Sequence, residues 1–486
     1  MRRILILCFC ALLLVSLCVP ALATDPYQGY SYSSNDEGTL DVAAPQAFLP
    51  EAVYSAQRLG VPLSSPEDLL FDSEGNLYIC DAGSNAIYVF SETMELIKTI
   101  DSFQNQGKSD TFSSPYGIFL TASGLLYVAD YGNGRIVAID EAGNAVLTVE
   151  NPKADLLGDN FLFQPMKVLV DNTNRLFVLS KNINEGIMQF TEDGSFLGFY
   201  GANAVSANFI DRIWKEIMTE EQTGKLTQFV PIEYTNMSLD HKGFIYAVTK
   251  ASDVSDPIRR LNLFGGDVLV RTPIDGSEKV RGDVSYPMGQ VTGITGPSRF
   301  VDVTADDLGN YYALDDKRGR VFAYDEEGNL LFVFGAMNSG QTGSFASPSA
   351  IAYRDHKIYA LDRGNDELIV FEMTEYARLV EQAMEQYVLQ EYQQSLDLWE
   401  QIIKRNNNCD LAYYKAGYCL YRLKEYPKAM EYFKLVNAKK AYSDAMAKQA
   451  QIELNQNFEL YVAALAGAAV IIAGAVIVVK RCRARK

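Results

Sequence analysis

Six times along the chain the same order of apolar and polar positions returns. A proline leads a short apolar run, which stops at a polar turn such as Asp72-Ser73-Glu74-Gly75-Asn76. A second run follows, such as Leu77-Tyr78-Ile79-Cys80, then a turn, a third run, a turn such as Glu141-Ala142-Gly143-Asn144, and a fourth run. The leading prolines are Pro66, Pro115, Pro165, Pro231, Pro297 and Pro348, spaced 49, 50, 66, 66 and 51 residues apart. Four short strands per repeat predict a propeller blade, and six repeats predict an all-β six-bladed propeller over residues 47–373. After Leu368–Phe371, the third strand of the last repeat, the pattern turns helical, so that blade lacks an outer strand. Residues Ala47 to Leu59 precede the first repeat and are expected to supply it, which closes the ring and hides two sheet edges.

Two connections are long, a helical insertion at 201–230 and a loop insertion at 271–296. In the first, Phe209, Ile210, Ile213, Trp214, Ile217 and Met218 form a stripe at helical spacing with charges between them. That stripe reads either as a lid on the blade tops or as a partner or membrane contact through Trp214.

The pattern changes at both ends. Residues 1–23 read as a secretory signal: Arg2 and Arg3, an apolar run from Ile4 to Val19, and the small-residue site Ala21-Leu22-Ala23. Residues 24–46 are a Tyr/Ser-rich linker. Residues 374–456 are helical, with Ala383, Tyr392, Ser395 and Trp399 returning 34 residues later as Gly417, Tyr426, Ala429 and Phe433. Leu460 to Val479 gives twenty residues without a charge, long enough to cross a bilayer as a helix, and the basic tail 480–486 follows. The positive-inside rule puts that tail in the cytoplasm and the rest of the mature chain outside.

The segment Ala129-Asp130-Tyr131-Gly132-Asn133-Gly134-Arg135-Ile136 is similar to the NHL repeat motif. Weaker copies stand at Asp81-Ala82-Gly83-Ser84-Asn85, Asp315-Asp316-Lys317-Arg318-Gly319-Arg320 and Asp362-Arg363-Gly364-Asn365, whereas blades three and four depart from it. The 34-residue return resembles a pair of tetratricopeptide helix hairpins. The full order, with signal, propeller, helical pair and one span, resembles surface proteins of Gram-positive bacteria encoded beside ABC transporter components. That resemblance implies a cell-membrane protein whose partner is a transporter or solute-binding protein handling carbohydrate or related solutes. NHL propellers include binding platforms and enzymes alike, so it implies no reaction.

Charge and composition narrow the functions. With 43 Lys+Arg against 61 Asp+Glu the net charge is −18, which repels phosphate backbones and excludes a nucleic-acid binder. Two histidines, His241 and His356, cannot build a multi-histidine metal site. Three cysteines, Cys80, Cys409 and Cys419, remain once the signal and tail are set aside, so this is no disulfide scaffold. Counting back four positions from the first turn of each blade gives a channel ring of Asp68, Gly117, Lys167, Asn236, Asp302 and Ala350. Extra residues in blades four and five add Glu233, Tyr234, Arg299 and Phe300 at the mouth. Lys167, Glu233, Tyr234, Asn236 and Arg299, with Trp214 above, are the candidate contacts for a carbohydrate or other small polar ligand. The ring charges are otherwise expected to pair across water, Lys167 with Asp302 or Glu233 with Arg299.

The first functional reading is a membrane-anchored extracellular binding or scaffold protein, with no catalytic residue and no cofactor. The alternative is a metal-dependent hydrolase or lactonase holding a divalent cation on Asp68, Asn236 and Asp302. Lys167 argues against that, since an ammonium competes with the metal. A third reading makes the helical pair, rather than the propeller, the binding element of an envelope assembly factor.

Overall fold

The computed structural model describes residues 27–35, 38–154, 157, 161–201, 233–249, 256–271, 274, 281–283 and 296–483. Six antiparallel sheets follow one another in chain order. Their innermost strands are Pro66–Phe71, Pro115–Leu120, Pro165–Val170, Tyr234–Leu239, Phe300–Ala305 and Pro348–Arg354. Each innermost strand touches those of the next and previous blades, and the sixth touches the first, so the ring closes. Five sheets have four strands and the fourth has three among the described residues.

Apolar runs rather than alternation mark the middle strands, because blades stack face to face and bury both sides. Leu126–Asp130 and Tyr311–Asp315 are buried throughout, whereas the outer strand Leu96–Ile100 is almost wholly exposed. The expected closure is present. Phe48–Ser55 pairs antiparallel with Glu367–Met373 as the fourth strand of the last blade. Phe48 is fully buried there, stacked on Phe334 at 4.4 Å and edge-on to Tyr312 and Phe332.

The repeated aspartates are devices of the fold. Each stands at the end of a second strand and caps backbone N–H groups just before or at the start of the same blade's first strand. Asp81 accepts from Ser64 N, Asp130 from Ser113 N, Asp315 from Arg299 N and Asp362 from both Ala346 N and Ser347 N, all at 2.6–3.0 Å. All four are fully buried. Blade three puts Ser180 at that position, and its hydroxyl takes Gln164 N at 3.0 Å instead. The departure there replaces one acceptor by another and leaves the cap intact.

Part of the expected linker is folded. Tyr30–Asn35 and Gly38–Ala43 form a hairpin that lies against Leu330–Phe334, the outer strand of blade five. Tyr30 and Tyr32 donate their hydroxyls to Asp283, which also binds Arg320, so the tyrosines hold the segment to the propeller. The helical insertion with Trp214, and the signal segment, lie outside the described residues.

Six helices end the chain: α1 Glu375–Val388, α2 Tyr392–Arg405, α3 Asp410–Arg422, α4 Tyr426–Leu435, α5 Lys439–Gln456 and α6 Phe458–Arg483. From α1 to α5 neighbours in sequence pack as hairpins, and the small residues work as expected. A Cβ at Gly417 would fall 2.7 Å from the Phe433 ring, so only glycine lets α3 and α4 approach with that ring between them. These helices are not a detached spacer. One continuous apolar core runs from Phe332 through Tyr376 to Trp399. Lys415, buried on α3, bridges Asp325 at 3.2 Å and Glu327 at 2.8 Å on the last turn of blade five. His356 and Tyr353 of blade six meet Glu381 of α1 at 2.7 and 3.2 Å. In a four-stranded antiparallel blade the first and third turns lie at one end, and the first strand starts at the other. The helices contact first and third turns, so they attach opposite the face where the inner strands begin. The stretch Phe458–Arg481 is long and apolar enough to cross a membrane, and none of it is buried.

Candidate ligand site at the channel mouth

Every inner strand begins with a β-bulge. In blade one Pro66 pairs with Asp81 and Asp68 with Cys80, which leaves Glu67 as the extra residue. The same slip isolates Tyr116, Met166, Thr235, Val301 and Ser349 in the other five blades. Freed from the ladder, these six side chains line a cavity of about 140 Å³ at the channel mouth. The residues next in sequence, Asp68, Lys167 and Asn236 among them, line the same cavity, and Arg363 and Pro348 complete it.

The bulge also confirms the channel ring. Asp68, Gly117, Lys167, Asn236, Asp302 and Ala350 are each the first paired residue after the bulge, so they are equivalent in six blades. The two acids join blades: Asp68 accepts from its neighbour Leu69 N and from Ile118 N of blade two, and Asp302 from Val303 N and from Ile351 N of blade six. Gly117 and Ala350, the small ring members, stand just before the N–H groups taken across those junctions.

Lys167 reaches from blade three past blade two to blade one. Its Nζ stands 2.6 Å from both oxygens of Asp68. A Cβ at Gly117 would press on the Met166 carbonyl oxygen and come within 2.9 Å of the Lys167 Cα and 3.2 Å of its Cδ. The glycine therefore clears the route of the lysine. Burial disfavours the Lys167 charge, but the carboxylates of Asp68 and Asp302 outweigh it and raise the pKa above the ordinary lysine value. Burial lifts Asp302 to about 7; the Asp68 charge adds to this, and Lys167 with two backbone N–H groups opposes it.

Of the residues singled out in the sequence, Lys167 and Asn236 meet at this cavity. Tyr234 does not reach it. It occupies the position that proline holds in blades one, two, three and six, is buried between blades, and gives its hydroxyl to Gly201 O at 3.1 Å. Phe300 occupies the same position in blade five and is fully buried against Phe322. Pro231 and Pro297 thus stand three residues ahead of the true strand starts. The expected ion pairs also differ. Lys167 bonds Asp68 rather than Asp302, Arg299 bonds Asp316 at 2.6 Å, and Glu233 accepts from Asn182 N at 3.1 Å. Arg299 finds its partner within its own blade, whereas Lys167 and Glu233 bond groups of other blades. Trp214 lies outside the described residues.

The alternative cation set of Asp68, Asn236 and Asp302 has Lys167 at its centre. Both oxygens of Asp68 are taken by that ammonium and by backbone N–H groups, so no lone pair is left for a metal. Among the described residues no three His, Cys, Asp or Glu side chains converge as a metal set. His241 is in the first turn of blade four, and His356 faces the helices, away from the mouth.

The bulged ring itself is not apparent from strand patterns. Its one signal is position: the residue directly after each leading proline, or after Tyr234 and Phe300. Glu67 and Arg363, an ion pair at 3.0 Å on the cavity wall, were likewise unmarked, the second hidden inside a repeat motif.

No protein-family model and no curated protein matches the chain. Among solved structures it is similar to virginiamycin B lyase from Staphylococcus aureus, at 13% identity and a TM-score of 0.40, over 72% of this chain and 97% of that one. It is also similar to a protein described as a gluconolactonase, at 11% identity and a TM-score of 0.41, over 71% and 98% of the two chains. A third is the extracellular domain of the one-component system BT4673 from B. thetaiotaomicron, at 13% identity and a TM-score of 0.35, over 71% of this chain and 39% of that one.

Proposed function

We propose that this is a membrane-anchored recognition protein whose propeller captures a small polar ligand, or the polar end of a partner, in the mouth cavity. The observation that carries the proposal is the cavity itself, to which every blade contributes one residue released from its ladder by a bulge. Its volume of about 140 Å³ is below the roughly 300–1,000 Å³ of ordinary small-molecule pockets. That suits a single small molecule or one terminal group and is too small for an oligosaccharide. The interlocked Lys167–Asp68 pair favours recognition over metal-assisted hydrolysis, since it fills both Asp68 oxygens and sets an ammonium within the candidate cation set.

The apolar helix α6 ends in Lys480, Arg481 and Arg483, which supports an anchor with the propeller outside. The helices attach on the face away from the mouth, so an anchored propeller presents the cavity away from the membrane. The resemblance to NHL and tetratricopeptide proteins extends the reading to a transporter or solute-binding partner.

The test compares wild type with Met166→Trp, which fills the cavity from a partly exposed bulge position. Both full-length proteins are purified from membranes after mild crosslinking, and bound small molecules and proteins are identified by mass spectrometry. Species present on wild type and lost from the filled variant support the reading. An identical set on both proteins refutes it.

A further inference from the structure

The donors and acceptors around the mouth narrow the chemistry of what enters. Resting on the recognition reading above, we infer that the cavity takes a carboxylate, either a small monocarboxylate or the free carboxylate end of a partner chain.

The strongest acceptor at the wall, the Asp68 carboxylate, is spent. Asp68 Oδ1 accepts from Leu69 N at 3.0 Å and Lys167 Nζ at 2.6 Å, and Oδ2 accepts from Ile118 N at 2.8 Å and the same Nζ at 2.6 Å. Two donors per oxygen fill a carboxylate. Glu67 accepts from Ser65 Oγ at 2.9 Å on one oxygen and from Arg363 Nη1 at 3.0 Å on the other. The hydroxyls of Ser349 and Thr235 give their protons to Pro66 O and Val248 O. The hydroxyl oxygens keep lone pairs for a donor, but both carboxylates on the wall already carry a cationic partner, Lys167 on Asp68 and Arg363 on Glu67.

The donors are not spent. Asn236 is more than nine-tenths buried, and its Oδ1 accepts from Met237 N at 2.8 Å. Its Nδ2 has no protein partner among the described residues, so two N–H groups are held at the cavity without an acceptor. In blades one and five the equivalent side chain is an aspartate, whose second oxygen takes the next blade's N–H. Blade four cannot do that, because Val303 N already belongs to Asp302. The amide is thus the one ring member turned to other use. Lys167 spends two of its three N–H groups on Asp68, and Arg363 spends Nε on Ser347 Oγ and Nη1 on Glu67, which leaves Nη2. A cavity with spare N–H groups on an amide and two cations, and with its acids neutralised, selects a planar anionic acceptor.

The full-length protein in detergent is titrated calorimetrically with lactate, with lactamide of the same size and shape, and with glucose. A short peptide is added in two forms, with a free C-terminal carboxylate and with that end amidated. The expected result is that an acid form binds tighter than its amide by roughly tenfold or more, the value of one charge-assisted hydrogen bond. Asn236→Asp should remove that binding, with its fold checked by circular dichroism because blade four offers no N–H to the second oxygen, and Met166→Trp, which leaves the ring side chains unchanged, should block it independently by filling. Preference for lactate over the peptide acid assigns a free metabolite, and the reverse assigns a chain end. Binding of glucose or lactamide that Met166→Trp abolishes, with no preference for acids, overturns the carboxylate and leaves recognition standing. No binding by any probe overturns it too, and the crosslinking comparison of wild type with Met166→Trp then decides separately whether recognition falls.

Discussion

Replacing Lys167 by methionine keeps the length and apolar stem of the side chain and removes only its charge. The structure sets the size of the effect. Lys167 Nζ is 2.6 Å from Asp68, and the two side chains are 12% and 3% exposed, so water cannot replace the ammonium. Breaking a buried pair by removing one partner costs about 3–5 kcal/mol. A second route gives a ceiling: if the variant folds only with Asp68 protonated, the cost is about 1.4 kcal/mol for each pH unit above the ordinary aspartate pKa of about 3.9. That is roughly 5 kcal/mol at pH 7.5 and roughly 1.5 at pH 5, so the two routes agree near neutrality. Lys167→Met should therefore be severely destabilised at pH 7.5 and recover most of the loss at pH 5. The assay is urea unfolding of the full-length protein in detergent, followed by far-ultraviolet circular dichroism at both pH values. A loss below about 1 kcal/mol at pH 7.5, or an equal loss at both, would falsify the view that Lys167 is the buried counterion of the ring.

Two further outcomes are expected. Asp302 has a folded pKa of about 7, above its unfolded value, so the native state holds a proton that the unfolded chain has lost. Its contribution is present at low pH and fades as pH rises from about 4 to about 7, at up to about 1.4 kcal/mol per unit; Asp306, lifted by burial to about 6, acts with the same sign. Asp302→Asn should flatten that decline in denaturant midpoints measured across the window, and an unchanged slope would remove Asp302 as its source. Phe48→Ala should cost about 3–5 kcal/mol by emptying the closing seam, read as a lowered melting temperature, whereas a shift no larger than an exposed Leu96→Ala control would mean the seam does not hold the ring.

The fold was legible because its devices are local. Leading prolines, Asx-type turns and the repeated aspartates each act within one blade, so each leaves its mark on neighbouring residues. The closing strand was legible for the opposite reason: a last blade one strand short demands a partner, and Ala47–Leu59 was the segment placed to give it. The site was legible only in part. Counting from the turns put Asn236 and Asp302 in register with Asp68 because the ladder after the bulge is regular. Counting from the prolines placed Tyr234 and Phe300 at the mouth, when they fill the proline position and are buried. Pairing failed too, since charge alone does not say that Gly117 opens a path from Lys167 to Asp68. Likewise the tyrosines of 24–46 read as linker composition until Asp283, some 250 residues away in sequence, gives their hydroxyls an acceptor.

The two ends of the propeller are built on different principles, and this bears on how a ligand signal would travel. At the helical end, contacts are extensive and apolar, and Lys415 joins blade five to α3 between two acids. At the mouth, blades are joined by polar contacts: ring acids take a neighbour's backbone N–H, Asp68 from Ile118 and Asp302 from Ile351, and Lys167–Asp68, Arg363–Glu67 and Ser349 Oγ–Pro66 O add to them. A carboxylate taking the spare N–H of Lys167 would share that ammonium with Asp68, the acid that also holds Ile118 N of blade two. Asp302 couples the ring to blade six, whose closing strand leads back through Phe48 to the core beneath the helices. The closing strand thus stands between the mouth ring and the helical end in one contiguous set of contacts.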